Sequence, residues 1–417
     1  MQMIKKIVII VVVLVTSLGS AQQNGSPSPY SFYGIGTQQF RGTSENRAMG
    51  GISTYSDSLH FNLRNPASLA KTRFVTFTTG GSQEEVQLED NTNTSNGSNS
   101  SLDYIALRFP VLKKLGVSFG LIPVTSVGYR LDQSTDEVLN TFSGSGGLNR
   151  VFLSAGYEPI KGLSVGASGE FNFGNIQNET LQSIPGVELG TQENNRSNLF
   201  GFTANLGAQY ETPLNEKLRL YSSVSYIPNS QINSENSRTV SSVEFNNLTG
   251  VFPIDTQEVE VATTDFNFPS AITLGVGIGQ KDKWFFGGEY TNQRNSSFTN
   301  RSFTLDNASF EDASQIRFGG FFIPEHTSIS NYFKKVTYRA GVRFEETGLI
   351  ISNESIDEFG ISFGVGLPAG RILSNINIGL EYIQRGTTDA NLVQENIFNF
   401  NISASLNDIW FLKSKFN

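Results

Sequence analysis

Apolar and polar side chains alternate with period two through most of the chain beyond residue 72. From Phe200 one set reads Phe200, Phe202, Ala204, Leu206, Ala208, Tyr210, and its complement reads Gly201, Thr203, Asn205, Gly207, Gln209, Glu211. The pattern returns as Phe398, Phe400, Ile402, Ala404, Leu406 against Asn399, Asn401, Ser403, Ser405, and as Ile376, Ile378, Leu380, Tyr382 against Asn375, Asn377, Gly379, Glu381. Successive side chains of a strand point to opposite faces, so each stretch carries one greasy and one polar face. Strands of soluble sandwiches run ~5 to 6 residues. These run to about ten or more, the reach a tilted strand needs to cross a hydrocarbon layer.

Such segments number roughly fourteen, an even count as single-chain bacterial barrels require. They are predicted near residues 72–82, 102–110, 115–130, 148–158, 162–176, 198–212, 217–231, 269–280, 283–296, 313–323, 335–346, 357–368, 375–386 and 396–411. Connections alternate in length. Short turns fall at 111–114, 159–161, 213–217, 281–283 and 369–374, and long polar loops at 82–101, 131–147, 177–197, 232–268 and 297–312. Barrels of this class keep short turns on the periplasmic side and long loops outside, which puts both termini in the periplasm. The connection 324–334 is longer than its class. Tyr129, Tyr157, Tyr210, Tyr226, Trp284, Tyr290, Tyr382 and Trp410 suit two interfacial girdles, although strands favour aromatic residues in any half-buried sheet.

One stretch breaks the pattern. Residues 47–70, RAMGGISTYSDSLHFNLRNPASLA, are too interrupted for a helix and too poor in alternation for a strand. Gly50-Gly51, Asp57 with Ser58, and Asn65-Pro66-Ala67-Ser68-Leu69 resemble the N-terminal hatch of the FadL-type outer-membrane transporters (the OMPP1/FadL/TodX-like barrels). A second likeness covers the chain's end. Gly366-Leu367-Pro368, residues 374–382, Arg385-Gly386-Thr387 and Asn407-Asp408-Ile409-Trp410-Phe411 resemble FadL-like barrels of Bacteroidota. The resemblance implies an all-β fold: a transmembrane antiparallel β-barrel of about 14 strands with an N-terminal plug (hatch) in its lumen. It also implies plug-gated uptake of a hydrophobic, fatty-acid-like molecule across the outer membrane of a Gram-negative bacterium. Some barrels of this kind resemble accessory subunits of protein-export or assembly machinery, with no transport of their own. In both roles membrane lipid is a partner, and in the second other outer-membrane proteins are too.

Lys5 and Lys6 precede an apolar run from Ile7 to Leu18, closed by Gly19-Ser20-Ala21, which reads as a cleaved secretory signal. The run falls short of the ~20 residues of a spanning helix. The expected division is signal peptide 1–21, leader and hatch 22–71, barrel 72–417. With 41 Gly, 33 Phe, 13 Tyr and no Cys, the composition suits an all-β exported chain without disulfides or thiol chemistry. Loss of Lys5 and Lys6 takes the formal charge from −8 to −10, which argues against nucleic acid as a partner.

Alternation assigns a set of charges to the lumen face: Glu170, Glu289, Arg317, Arg339, Arg343, Glu358 and Glu381. On the lipid face each would cost ~2 to 4 kcal/mol at mid-depth. They suit ion pairs that hold the hatch, and equally the solvation of a polar interior. Pro123 lies inside the third strand, where it cannot donate to the ladder and marks a bulge or break. In FadL-type barrels that strand is kinked to open a lateral passage, and Gly120, Pro123 and Gly128 would frame it here; a harmless rim proline is the other reading. From the hatch, Asp57, Asn65, Pro66 and Ala67 are the candidate gating residues. His60 and His326 are the two histidines, and neither joins a Ser-His-Asp constellation or a metal spacing. No catalytic residue, cofactor or metal is therefore expected, apart from a generic calcium site at Glu84, Glu85, Glu89 and Asp90.

Overall fold

The computed structural model describes residues 27–135, 137–246, 250–297, 307–369 and 374–409. The expected export signal, residues 22–26 of the expected leader, the heart of the turn expected at 369–374, most of the loop expected at 297–312 and the expected girdle residue Trp410 lie outside the described residues. The strands are β1 (Thr37–Gln38), β2 (Val75–Glu89), β3 (Thr94–Leu112), β4 (Leu115–Ser134), β5 (Leu139–Ile160), β6 (Leu163–Ser183), β7 (Leu189–Pro213), β8 (Leu218–Ile227), β9 (Ser230–Asn246), β10 (Gly250–Val259), β11 (Thr264–Phe268), β12 (Ala271–Gln280), β13 (Trp284–Gln293), β14 (Ala308–Phe310), β15 (Ala313–Phe322), β16 (Thr337–Ile351), β17 (Glu354–Ala369), β18 (Ser374–Arg385) and β19 (Gln394–Asp408).

Fourteen of them form a closed antiparallel ring: β2 to β8 in order, then β12, β13 and β15 to β19, with β19 pairing back onto β2. Closure removes the free sheet edges that lipid could not hydrate. Among the described residues no helix is long and apolar enough to cross a membrane. Alternation sets the two faces. Phe202 is 74% exposed on the outside, whereas Asn401 on the inside is 1% exposed.

The expected polar loops prove to be mostly strand. β2 and β3 continue to a turn at 90–93, β4 and β5 to one at 135–138, and β6 and β7 to one at 184–188. Asn, Ser, Thr and Gly give these extensions no apolar face, so periodicity does not reveal them; backbone ladders carry them above the lipid. On the same side β9 pairs with the upper half of β7, and β10 and β11 pair with β9.

Tyr129 departs from its expected girdle position. The register between β4 and β5 shifts between Pro123 and Thr125, which reverses the phase of β4. Tyr129 therefore turns inward and is buried. The leading segment also runs opposite to expectation. Pro27 lies against Gly97 and Ser28 donates to Glu395, both at the long-hairpin end, while Leu69 lies against Gly116 at the short-turn end. Strand parity fixes where β2 begins and β19 ends, but not the path of a segment that precedes the ring.

Candidate functional site

Residues 27–72 cross the lumen and touch strands all round the ring. Thr43 and Asn46 form a capping box over the short helix Ser44–Arg47. Gly50 and Gly51, with φ of 69° and 91°, then turn the chain in a way that a residue with a Cβ resists. Here backbone meets wall. Added Cβ atoms at Gly319 and Gly341 would run into the backbone of Met49 and Gly50. Gly50 N donates to Ser362 Oγ at 3.0 Å. Next, Glu289 Oε1 accepts from Ser53 N at 2.6 Å, Ser53 Oγ at 3.0 Å and Thr54 Oγ1 at 2.8 Å.

The Asn65-Pro66-Ala67 turn sits on the opposite wall. Asn65 Oδ1 caps the 3₁₀ turn Pro66–Lys71 by accepting from Ala67 N at 3.0 Å, and its Nδ2 donates to Val224 O at 3.1 Å. Pro66 fills the first helical position, where no N–H is needed. Its carbonyl rests where side chains on Gly156 and Gly166 would stand, and Ala67 is fully buried.

Asp57 closes its own turn. Its Oδ1 accepts from Leu59 N at 2.8 Å and His60 N at 2.7 Å, and its Oδ2 lies 2.6 Å from His60 Nδ1. Burial pushes this carboxyl up, but the imidazole and the two N–H groups outweigh it and hold Asp57 below the ordinary carboxylate range. Arg339 donates to His60 Nε2 at 3.2 Å. That partner occupies the nitrogen that a hydrolytic dyad would turn toward a nucleophile. From β3, Arg108 donates at 2.8 Å to the carbonyls of both Ser58 and His60.

All seven charges assigned to the lumen are buried there. Glu170 pairs with Arg150 at 2.7 Å, and Arg343 lies between Glu358, at 2.8 Å, and Glu381. Glu289, Arg317 and Arg343 are cross-strand neighbours in one row, with Arg317 3.8 Å from Glu289. Sequence reasoning missed Arg108, Arg150, Arg385 and Glu395, although each lies on the polar phase of its strand. Arg385 bridges Glu358 at 2.7 Å and Glu395 at 3.2 Å. Arg47, 3.8 Å from Asp103, belongs to the leading segment, where no period betrays it.

At Pro123 the wall parts. β3 and β4 pair from Leu112–Leu115 up to Ile105–Leu121 and no further. Above that level β3 keeps only β2, and β4 has β5 on one side and β1 on the other. Thr37 and Gln38 pair with Ser126 and Thr125, and Gln39 N donates to Val124 O at 2.9 Å. Gly120 lies below the parting, against Ile105 O and Phe152. Gly128 lies above it and donates to Ser31 Oγ at 3.1 Å. Behind the seam, Ile35 packs with Val124, Val127, Leu148, Ile176 and Phe268.

Among the described residues a cavity of about 280 Å³ lies between residues 28–41, residues 47–64 and the barrel wall, and charged side chains line much of it, among them Arg41, Arg64, Arg150 and Arg317. Among the described residues no group of three or more metal-ligating side chains is assembled. Of the residues considered for calcium, Asp90 caps its own turn through Thr92 and Asn93, and Glu84 accepts from Asn399.

A family model described as BamG matches residues 3–417. A search of curated proteins finds no match. Among solved structures, the chain resembles the Pseudomonas putida toluene transporter TodX at 14% identity, with a TM-score of 0.56 over 90% of this chain and 100% of that one. A Pseudomonas aeruginosa FadL homologue is similar at 11% identity, with a TM-score of 0.54 over 90% of this chain and 99% of that one. At such identities these likenesses speak for the fold alone, a closed barrel of the outer-membrane kind.

Proposed function

We propose that this chain, which belongs to the BamG family, serves as a plugged outer-membrane barrel that docks another membrane protein in an export or assembly complex. The observation that carries this reading is the filling of the lumen. The leading segment lies backbone to backbone on wall glycines, and charged and polar contacts tie it to both walls. A route for greasy molecules needs a largely apolar pocket, whereas the cavity that remains is rich in arginine and glutamate. Beyond the lipid, β10 exposes Phe252 and Ile254 on a strand that pairs only with β9 among the described residues, the kind of edge a partner covers.

The seam favours a second reading, uptake of a hydrophobic molecule with lateral exit past Pro123. There the covering strand is two residues long and an apolar cluster lies behind it. One double variant separates the two. With no native cysteine, Gln38→Cys with Thr125→Cys gives a single disulfide across a directly opposed pair. Under the docking reading, oxidised cells keep normal levels of other outer-membrane barrels, and depletion of the chain lowers them. Loss of hydrophobic-compound uptake in the locked variant, with other barrels untouched by depletion, overturns it.

A further inference from the structure

We infer that the cavity between leader and hatch is a binding site for a phosphate-class oxyanion, held by Arg41, Arg150 and Arg64. The inference stands apart from the docking and uptake readings, since it rests on how these guanidinium groups are partnered.

Arg41 and Arg150 lie over one aromatic ring. Their guanidinium carbons are 5.5 Å and 5.7 Å from the Phe268 centroid. Two like charges on one ring repel unless an anion joins them. Arg150 has Glu170 at 2.7 Å and Asn172 at 2.8 Å, yet its Nη2 is buried with no hydrogen-bond partner. Arg41 has no ion pair or hydrogen bond among the described residues; its one partner there is the Phe268 ring. Arg64, also on the cavity wall, donates to Gly51 O at 3.1 Å and has no ion pair among the described residues.

Arg317 repeats the motif. Its Nε is buried and unpartnered, and Glu289 stands 3.8 Å from its Nη1. Four guanidinium groups on this wall thus share Glu170 and Glu345, with Glu289 beside Arg317, its Oε1 taken up by Ser53 and Thr54 and its Oε2 at 3.8 Å from Arg317. Burial first, and then the like charge of Arg150, pull Arg41 below the ordinary arginine value. A guanidinium keeps its proton regardless, so both effects amount to unmet demand for an anion.

An oxyanion of phosphate shape meets that demand. Guanidinium forks present parallel N–H pairs that match its oxygens. Arg41 brings an unused set of donors, Arg150 a free Nη2, and about 280 Å³ is room for the ion alone or on a small organic group. The cavity's other end is acidic, where Glu358, Glu381 and Glu395 share Arg343 and Arg385, so an anion is driven toward the Phe268 end.

The test is thermal unfolding and calorimetric titration of the intact barrel in detergent. The probes are inorganic phosphate and glucosamine 1-phosphate, against sodium chloride at matched ionic strength. Saturable stabilisation by inorganic phosphate assigns the site to the free ion; stabilisation by the sugar phosphate alone assigns it to a phosphorylated headgroup. Arg41→Gln, which breaks no ion pair, should weaken binding by about tenfold or more and leave the phosphate-free melting temperature unchanged or higher. Arg41→Lys, which keeps the charge and loses the fork, should fall between. Equal behaviour of both probes and chloride, or equal phosphate affinity in the wild type and R41Q, overturns the site.

Discussion

Glu289→Ala tests how firmly the leading segment is held. This carboxylate on β13 accepts three hydrogen bonds from Ser53 and Thr54 through one oxygen and faces Arg317 across the sheet. A hydrogen bond onto a charged group contributes roughly 1.5–3 kcal/mol net, and removing one member of a buried ionic cluster costs about 3–5 kcal/mol. Other ties on the segment survive, so the low end applies. About 3 kcal/mol is roughly two decades in the population of the detached state. Ser56→Cys supplies the reporter, because its side chain is buried three residues on and hydrogen-bonds to Gln209 alone, in a chain with no other cysteine. When reclosing outpaces modification, the labelling rate follows the open population. Maleimide should therefore label the E289A reporter roughly a hundredfold faster than its parent. Glu289→Gln keeps an acceptor at Oε1 and should show about tenfold or less. Parental rates in both variants would refute the reasoning and leave backbone-on-glycine packing as the whole hold.

Two further outcomes follow from the same geometry. Gly341→Ala puts a methyl into the backbone of Met49 and Gly50, which cannot step aside, and should raise labelling at Ser56→Cys more than E289A does; Gly169→Ala, with nothing within 4 Å of the new Cβ, should change nothing. Acid sensitivity follows from Asp57, whose folded-state affinity for a proton is depressed: its contribution is complete above the ordinary carboxylate value of ~3.9 and fades only as pH falls below that. Pepsin cleavage of the leading segment, divided at each pH by the rate on an unfolded control peptide, should accordingly stay low near pH 4 and rise below it, whereas the same ratio for Asp57→Asn should be elevated and level.

The barrel is legible in the sequence because lipid enforces a strict rule: a strand in it must be greasy on one face, and period two follows. The same rule sent Glu170, Glu289, Arg339 and Glu358 to the inside, and it would have sent Arg108, Arg150 and Arg385 there had it been applied to every strand. Above the lipid the rule lapses. Asn91 to Ser101, polar on both faces, reads as loop although the chain from Thr94 is strand. A bulge defeats the rule in another way, since one extra residue at Val124 moves Tyr129 from the outer face to the inner. The leading segment obeys no period, because its contacts reach strands from every side. Its Asn65-Pro66-Ala67 turn and Gly50-Gly51 pair were visible through resemblance, whereas Arg41, Arg47 and Arg64 carried no signal at all.

The leading segment is unevenly anchored, and that unevenness bears on both functional readings. From Met49 to Thr72 it rests on wall glycines and is tied by Glu289, Arg108 and its own Asn65, so any movement there breaks several buried polar contacts together. Around Thr37 it holds the seam by a two-residue ladder, the Thr37 hydroxyl on Ser126 O at 3.1 Å, and the seat of Ile35 in its cluster. A ladder that short costs little to open. A motion this geometry allows is release of residues 37–39 from β4 while residues 49–72 stay seated. Such a motion parts the leader from the upper edge of β4 and still leaves residues 49–72 on their wall glycines, so opening of the seam by itself does not clear a path through the lumen.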